Sequence, residues 1–278
     1  MIIVEPHIHM LSRTTDDYQA MHAAGVRCCV EPAFWLGTPR HHAGTFFDYY
    51  ELILDYETVR AERFGIDHWA CISVNPKEAD NAELAKETLA GIGPFLDHPR
   101  CICVGEIGFN AMTQNEEDAF VQQLHMAEER SLPVMIHTPH RDKREGVQRI
   151  VEILQAEKVA LPRIDIDHNT EDTMDLVKPL DCWAGLTVYP YSKLDPRRVI
   201  NILKQYGVER VMVNSSADWG VSDPTALAKV AQHMREAGFS DDDITTLLHD
   251  NPLAFYGQCE RFKPRLDLTP LPPESFQR

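Results

Sequence analysis

The sequence predicts an α/β fold, a (β/α)8 TIM barrel built as a single domain with a Pro-rich C-terminal tail. Two observations lead there. Eight apolar runs of strand length alternate with helix-patterned stretches from one end of the chain to the other. The 278 residues also suit eight such units, whose helix-length connections require neighbouring strands to be parallel. A doubly wound open sheet would place a G-x-G-x-x-G turn after the first strand, where this chain reads PHIHML.

The strands are expected at Ile2–His9, Val26–Glu31, Trp69–Val74, Cys101–Ile107, Val134–Thr138, Ile164–His168, Cys182–Val188 and Arg210–Asn214. Helices are expected between and after them, at Asp16–Ala24, Phe46–Arg63, Ala82–Phe95, Glu116–Ser131, Lys143–Glu157, Glu171–Lys178, Pro196–Tyr206 and Pro224–Ala237. Asp or Asn often stands at their starts as an N-cap, and Gly25, Gly207 and Gly238 stand where three should stop. A short helix over Asp241–Asp250 and the segment NPLAFYG complete a barrel spanning residues 1–258. The tail, 259–278, holds four prolines and is expected to pack over the barrel surface or stay disordered.

Composition narrows the function. The chain is 44% hydrophobic and 25% charged, an ordinary globular balance, with a formal net charge of −16. That charge opposes a sequence-independent grip on nucleic acid, which draws its affinity from positive side chains that displace counterions. The N-terminus MIIVEPHIH has no basic leader, and no run approaches the roughly 20 apolar residues of a membrane span. Seven cysteines, including adjacent Cys28 and Cys29, fit no disulfide framework and no C-x2-C metal spacing. A cytoplasmic protein with reduced, buried thiols is expected.

The chemistry-bearing residues fall at or just behind the ends of predicted strands. Alternation puts Glu5, His7 and His9 on one face of the first strand, so both imidazoles converge near its C-terminal end. Barrel enzymes hold their sites at that end. Glu106 shares a face with Ile102 and Val104, where an unpaired carboxylate would be costly to desolvate. His137 and His168 each close an apolar face in the same way. By the same alternation, Asp165 and Asp167 point the other way, either to orient ligands from behind or, the favoured reading, to pair with a basic residue on the helix layer. Asp218 lies beyond the eighth strand in NSSADWG, and Asp223 before Pro224 reads as a helix cap.

Four imidazoles and two carboxylates make a ligand set for one or two divalent ions. Zinc is expected first, with Mn, Mg, Co or Fe as alternatives. Such a centre activates water at neutral pH and polarises a carbonyl or phosphoryl oxygen, and Asp218 is placed to carry the proton. Loops after the strands offer Arg13, Trp35, Asn75, Lys77, His140, Arg141, Tyr189 and Trp219 as substrate-binding candidates. Arg13, Lys77 and Arg141 suit an anionic group. The partner expected is a small, anionic molecule, with nucleic acid disfavoured, no membrane, and room for a homo-oligomer clasped by the tail.

In this order, His7-x-His9, Glu106 in VGEIG, His137 in VMIHTPH, His168 in IDIDHN and Asp218 resemble the TatD-like metal-dependent hydrolases of the amidohydrolase superfamily. The resemblance covers residues 1 to 257 and includes the closing segment Asn251–Gly257. It implies a TIM barrel and a binuclear centre. One metal would take His7, His9, Glu106 and Asp218, and the second Glu106, His137 and His168. Glu106 and Asp218 would be the catalytic carboxylates.

Several positions depart from the family pattern. Glu5-Pro6 replaces the Asp ahead of H-x-H, and Asn75 stands where His is usual. TPHRD shifts Arg141 and Asp142 by one and adds His140, and VYP replaces an F-K-like end of strand seven. At strand eight an ungapped match puts Ser216 in place of the family Asp, with Asp218 two residues on. More narrowly, PHIHMLSRTTDDY, EPAFWLG, TPHRDK and NSSADWG resemble a TatD-like subgroup associated with bacterial biosynthetic gene clusters. The expected activity is hydrolysis of a small ester, lactone, amide or phosphoester. The alternatives are a metal-dependent 3'–5' exodeoxyribonuclease and a non-catalytic ligand-binding barrel.

Overall fold

The computed structural model describes residues 1–272, so the last part of the expected tail, 273–278, lies outside the described residues. Eight strands run in sequence order as one parallel sheet: β1 (Ile3–Glu5), β2 (Val26–Pro32), β3 (Asp67–Ile72), β4 (Cys101–Gly108), β5 (Val134–His137), β6 (Ile164–Ile166), β7 (Trp183–Thr187) and β8 (Val211–Asn214). Just past β1 and β8 the circle closes through backbone. Ser216 N donates to His7 O at 2.8 Å, and His9 N donates to Ala217 O at 2.9 Å. The result is a nearly closed TIM barrel.

The predicted helices surround it, with informative differences. The stretch expected as one helix over Phe46–Arg63 is a rod of Ala43–Glu51 and Glu57–Glu62 joined through a π-turn at Leu52–Tyr56. The helix expected at Glu171–Lys178 shrinks to Met174–Val177, because Thr170 and Thr173 hold the preceding turn through Thr170 N donating to Thr173 Oγ1. Asn75 caps an unpredicted short helix, Pro76–Ala79, by accepting from Lys77 N.

Strand ends are also shorter than the apolar runs suggested. β1 stops at Glu5 and β6 at Ile166, so His7, His9 and His168 sit on the first residues beyond the ladder. That placement puts them at the C-terminal mouth. The described part of the tail packs on its own barrel at the opposite end. Trp69 meets Phe262 edge to face with centroids 5.2 Å apart, and Arg265 pairs with Asp67 at the start of β3 at 2.9 Å. All seven cysteines are free and buried. Among the described residues no helix is long and apolar enough to cross a membrane.

Candidate metal centre

Three strand ends bring histidines to the Glu106 carboxylate. His137 Nδ1 and His168 Nε2 each lie 3.0 Å from Glu106 Oε1, and His7 Nε2 lies 3.8 Å from it. His7 and His9 face one another through Nε2 atoms 3.0 Å apart. Glu106 itself is anchored from behind, where Ser73 Oγ donates to its backbone oxygen at 2.8 Å. Burial would raise the Glu106 pKa, but His7 and His137 beside it and the hydrogen bonds from His137 and His168 hold it well below the usual carboxylate range. It is an anion at neutral pH.

Asp167 changes the reading of β6. Asp167 does not pair with a basic residue on the helix layer; its Oδ2 accepts from His7 Nδ1 at 2.7 Å, the alternative in which it orients a ligand from behind. The strand ladder ends at Ile166, and His168 adopts a left-handed φ of 62°. Alternation therefore breaks between Asp167 and His168, and both project into the mouth. His168 N, Asn214 Nδ2 and Thr187 Oγ1 also donate to Asp167 Oδ1, at 2.6, 2.9 and 3.4 Å. Burial opposes ionisation of Asp167, yet His168, His7 and Lys193 hold its pKa far down. Gly185 on β7 makes room for it, since a Cβ there would run into the carboxylate. Asp165 is buried too, makes no ion pair among the described residues, and is kept protonated by burial and by Asp167.

The arrangement fits a divalent cation on its donor chemistry. Because Nδ1 of His7 donates to the Asp167 carboxylate, it is Nε2 that is left to offer a lone pair to the centre. That lone pair points at a second imidazole nitrogen and stands near an ionised carboxylate, the surroundings of a shared cation. Ligand atoms of His7, Glu106, Asp167 and His168 all lie within 4.8 Å of one another. Burial also keeps the His9 and His168 pKa values well below 6.5, so both rings are neutral and able to ligate.

Asp218 lines the same cleft but stands apart from this cluster. Its Oδ1 accepts from Tyr189 OH and from Gly220 N, both at 2.7 Å. Ser216, buried and at φ 42°, is the residue that reaches the centre from the β8 end.

The expected substrate shell divides. Trp35, Asn75, Lys77 and His140 line the cleft of about 140 Å³ over the centre. Lys77 Nζ lies 3.3 Å from the Trp35 ring centroid, and Asn75 Nδ2 donates to Glu106 Oε2 at 3.4 Å. Burial and nearby His137, Lys193 and Lys143 push the His140 pKa down to about 4. Arg13 is spent on structure, donating to Asp218 O at 2.5 Å and to Asp17 at 3.0 Å. Arg141 is exposed and does not line the cleft. Trp219 is half-exposed at the rim, its ring 5.1 Å from Phe34, which stacks on His9 at 3.8 Å.

Sequence reasoning missed Lys193. The loop after β7 doubles back through Tyr189 N donating to Leu194 O and Leu194 N donating to Thr187 O. This turns Lys193 Nζ onto His168, 3.2 Å from Nδ1 and 3.3 Å from Nε2. A single cation in the otherwise uncharged run GLTVYPYSKL was the available signal. Beside it, Lys143 Nζ donates to Thr138 Oγ1 at 2.8 Å and His168 O at 3.1 Å, and burial lowers its pKa to about 8. A wider groove of about 750 Å³ continues from His140, His168 and Lys193 past these lysines.

The family model described as TatD related DNase matches residues 6–257. An uncharacterized metal-dependent hydrolase of Methanocaldococcus jannaschii is 27% identical over 260 residues, covering 91% of this chain and 99% of the relative. The 3'-5' ssDNA/RNA exonuclease TatD of a Rahnella species is 25% identical over 174 residues, covering 59% of this chain and 64% of its own. Among solved structures, a TatD-like protein from Archaeoglobus fulgidus superposes with a TM-score of 0.77 at 22% identity, covering 91% of this chain and 99% of that one. A lactonase from Listeria monocytogenes has a TM-score of 0.64 at 13% identity, covering 91% and 94%. At these identities the structural matches establish the barrel.

Proposed function

This chain belongs to the TatD-related family and is a metal-dependent hydrolase, and we propose that its substrate is a small anionic molecule cleaved at an ester, lactone, amide or phosphoester bond. The observation that carries the reading is the convergence of His7, His9, His137 and His168 around the single carboxylate of Glu106. His7, His9 and Glu106 would hold a divalent ion, with His137 and His168 on the other side of the same carboxylate. Nitrogen-rich ligation favours zinc. A divalent ion held there supplies an acidified water and polarises the oxygen of the scissile group.

The chain's own residues do the rest. Asp167 fixes the His7 tautomer, so that Nε2 faces the centre. Asp218, held by Tyr189 and Gly220, is placed to take a proton from the attacking water and return it to the leaving group. Phe34, Trp35 and Trp219 give the mouth an apolar, water-excluding rim, and Lys77 and His140 meet polar substituents.

Charge supports a small molecule over a polynucleotide. The wider groove carries Lys143, Arg144, Lys193 and Arg198, but also Asp142, Glu145, Glu171, Asp172 and Asp175. Both arginines are committed, Arg144 to Asp175 and Arg198 to Glu171, each at 2.7 Å. A phosphodiester chain would meet no continuous cationic track there. The seven free thiols favour a reducing, cytoplasmic setting.

The test is metal analysis of protein purified without chelator, followed by hydrolysis of lactone, aryl ester and phosphoester panels beside single-stranded DNA. Stoichiometric metal with turnover of a small substrate is expected. Cleavage of DNA alone, abolished in Glu106→Ala, would establish the exonuclease reading instead.

A further inference from the structure

The metal position that the family resemblance implies at Glu106, His137 and His168 has a cation of the protein's own beside it. Lys193 Nζ touches both ring nitrogens of His168 and lies 3.4 Å from Ser216 Oγ. Among the described residues it forms no ion pair, although it sits in the same cleft as Glu106 and Asp218. A dication on His168 would lie within a few ångströms of this ammonium, at a separation where water screens little.

The anionic side of the centre is correspondingly small. Ser216 follows β8 beside Lys193 and brings no charge, while Asp218 lines the cleft with its Oδ1 accepting from Tyr189 OH and Gly220 N. Three carboxylates remain around the cleft: Glu106, Asp167 and Asp218. They offset one dication and the Lys193 ammonium, with the Lys143 ammonium held nearby on Thr138 Oγ1 and His168 O. Two dications beside the same ammonium would leave the buried site with surplus positive charge.

We propose that Lys193 serves as the second cation of the centre, so that the protein binds one divalent ion, with His7 and His9, and uses the ammonium at Glu106, His137 and His168. The inference rests on the metal-centre reading above. Lys193 then donates a hydrogen bond to the substrate oxygen that a second metal would otherwise hold. Because an ammonium is a compact donor of three hydrogens, it suits a carbonyl or phosphoryl oxygen in several approach directions.

Metal counting tests this without reference to turnover. Wild-type protein, Lys193→Met and Lys193→Arg are equilibrated with excess zinc, desalted and measured by plasma mass spectrometry. One zinc per chain is expected in the wild type and Lys193→Arg, and two in Lys193→Met. The added ion should vanish when His137→Ala is combined with Lys193→Met. Two tightly held ions in the wild type overturn the proposal, as does a single ion in a folded Lys193→Met. If Lys193→Met fails to fold, the wild-type count still decides. Zinc bound to none of the proteins defeats the metal-centre reading itself, an outcome distinct from a wrong count.

Discussion

The Asp167 carboxylate and the His7 imidazole, 160 residues apart in the chain, meet at 2.7 Å between the ends of β6 and β1. Asp167 accepts the hydrogen bond from His7 Nδ1 and leaves Nε2 facing the centre. It also ties the first and sixth strands together at the mouth. A carboxylate behind a metal-ligating histidine orients the ring and raises its basicity.

Replacing Asp167 with Asn should therefore weaken metal binding by about 10- to 100-fold, since an amide holds the ring less firmly than an anion. Competition against a chromogenic chelator measures it. Unchanged affinity in a folded Asp167→Asn protein would remove this residue from the centre.

Glu106 and Asp218 should behave differently from one another. Glu106→Gln removes the carboxylate on which three histidines converge, and should lose bound metal along with activity. Asp218→Asn should keep its metal while turnover falls by about 100-fold or more, the scale of a lost proton carrier. Loss of metal from Asp218→Asn would make Asp218 a ligand rather than a carrier.

The buried pair Glu31 and His68, at 2.8 Å, predicts a stability optimum on the acid side of neutral. Burial raises Glu31 from 4.5 to about 8 and lowers His68 from 6.5 to about 4. Stability from the raised acid is complete below 4.5 and is lost as pH climbs to about 8. Stability from the lowered histidine is complete above 6.5 and is lost as pH falls to about 4. The two slopes cancel between 4.5 and 6.5, leaving a net fall from 6.5 to 8. Denaturant midpoints should be lower at pH 8.5 than at pH 5.5 in the wild type, and Glu31→Gln should reduce the alkaline loss, the remainder coming from Glu5, which burial also raises to about 8. An equal alkaline loss in Glu31→Gln would show that other groups cause it.

Thiol titration should find seven reactive cysteines in denaturant without reductant. In the native state it should find slow, sub-stoichiometric reaction, because all seven are buried and burial lifts Cys101 and Cys182 to about 12. Fewer than seven after unfolding would reveal a disulfide.

By itself, the sequence determined the barrel and the histidines gathered at its mouth. Strand and helix periods are local, and eight of each in alternation leave few topologies. His7, His9, Glu106 and His137 were legible because each sits at or just beyond a strand end, where the fold class alone places chemistry. Alternation failed at Asp167, because one left-handed residue, His168, turns two successive side chains toward the same mouth. Only the tertiary structure showed Lys193 on His168, Asp218 tied to Tyr189, and Arg13 spent on Asp17 and the β8 loop. Those contacts join loops far apart in the chain, and their partners are set by how each loop folds back over the barrel.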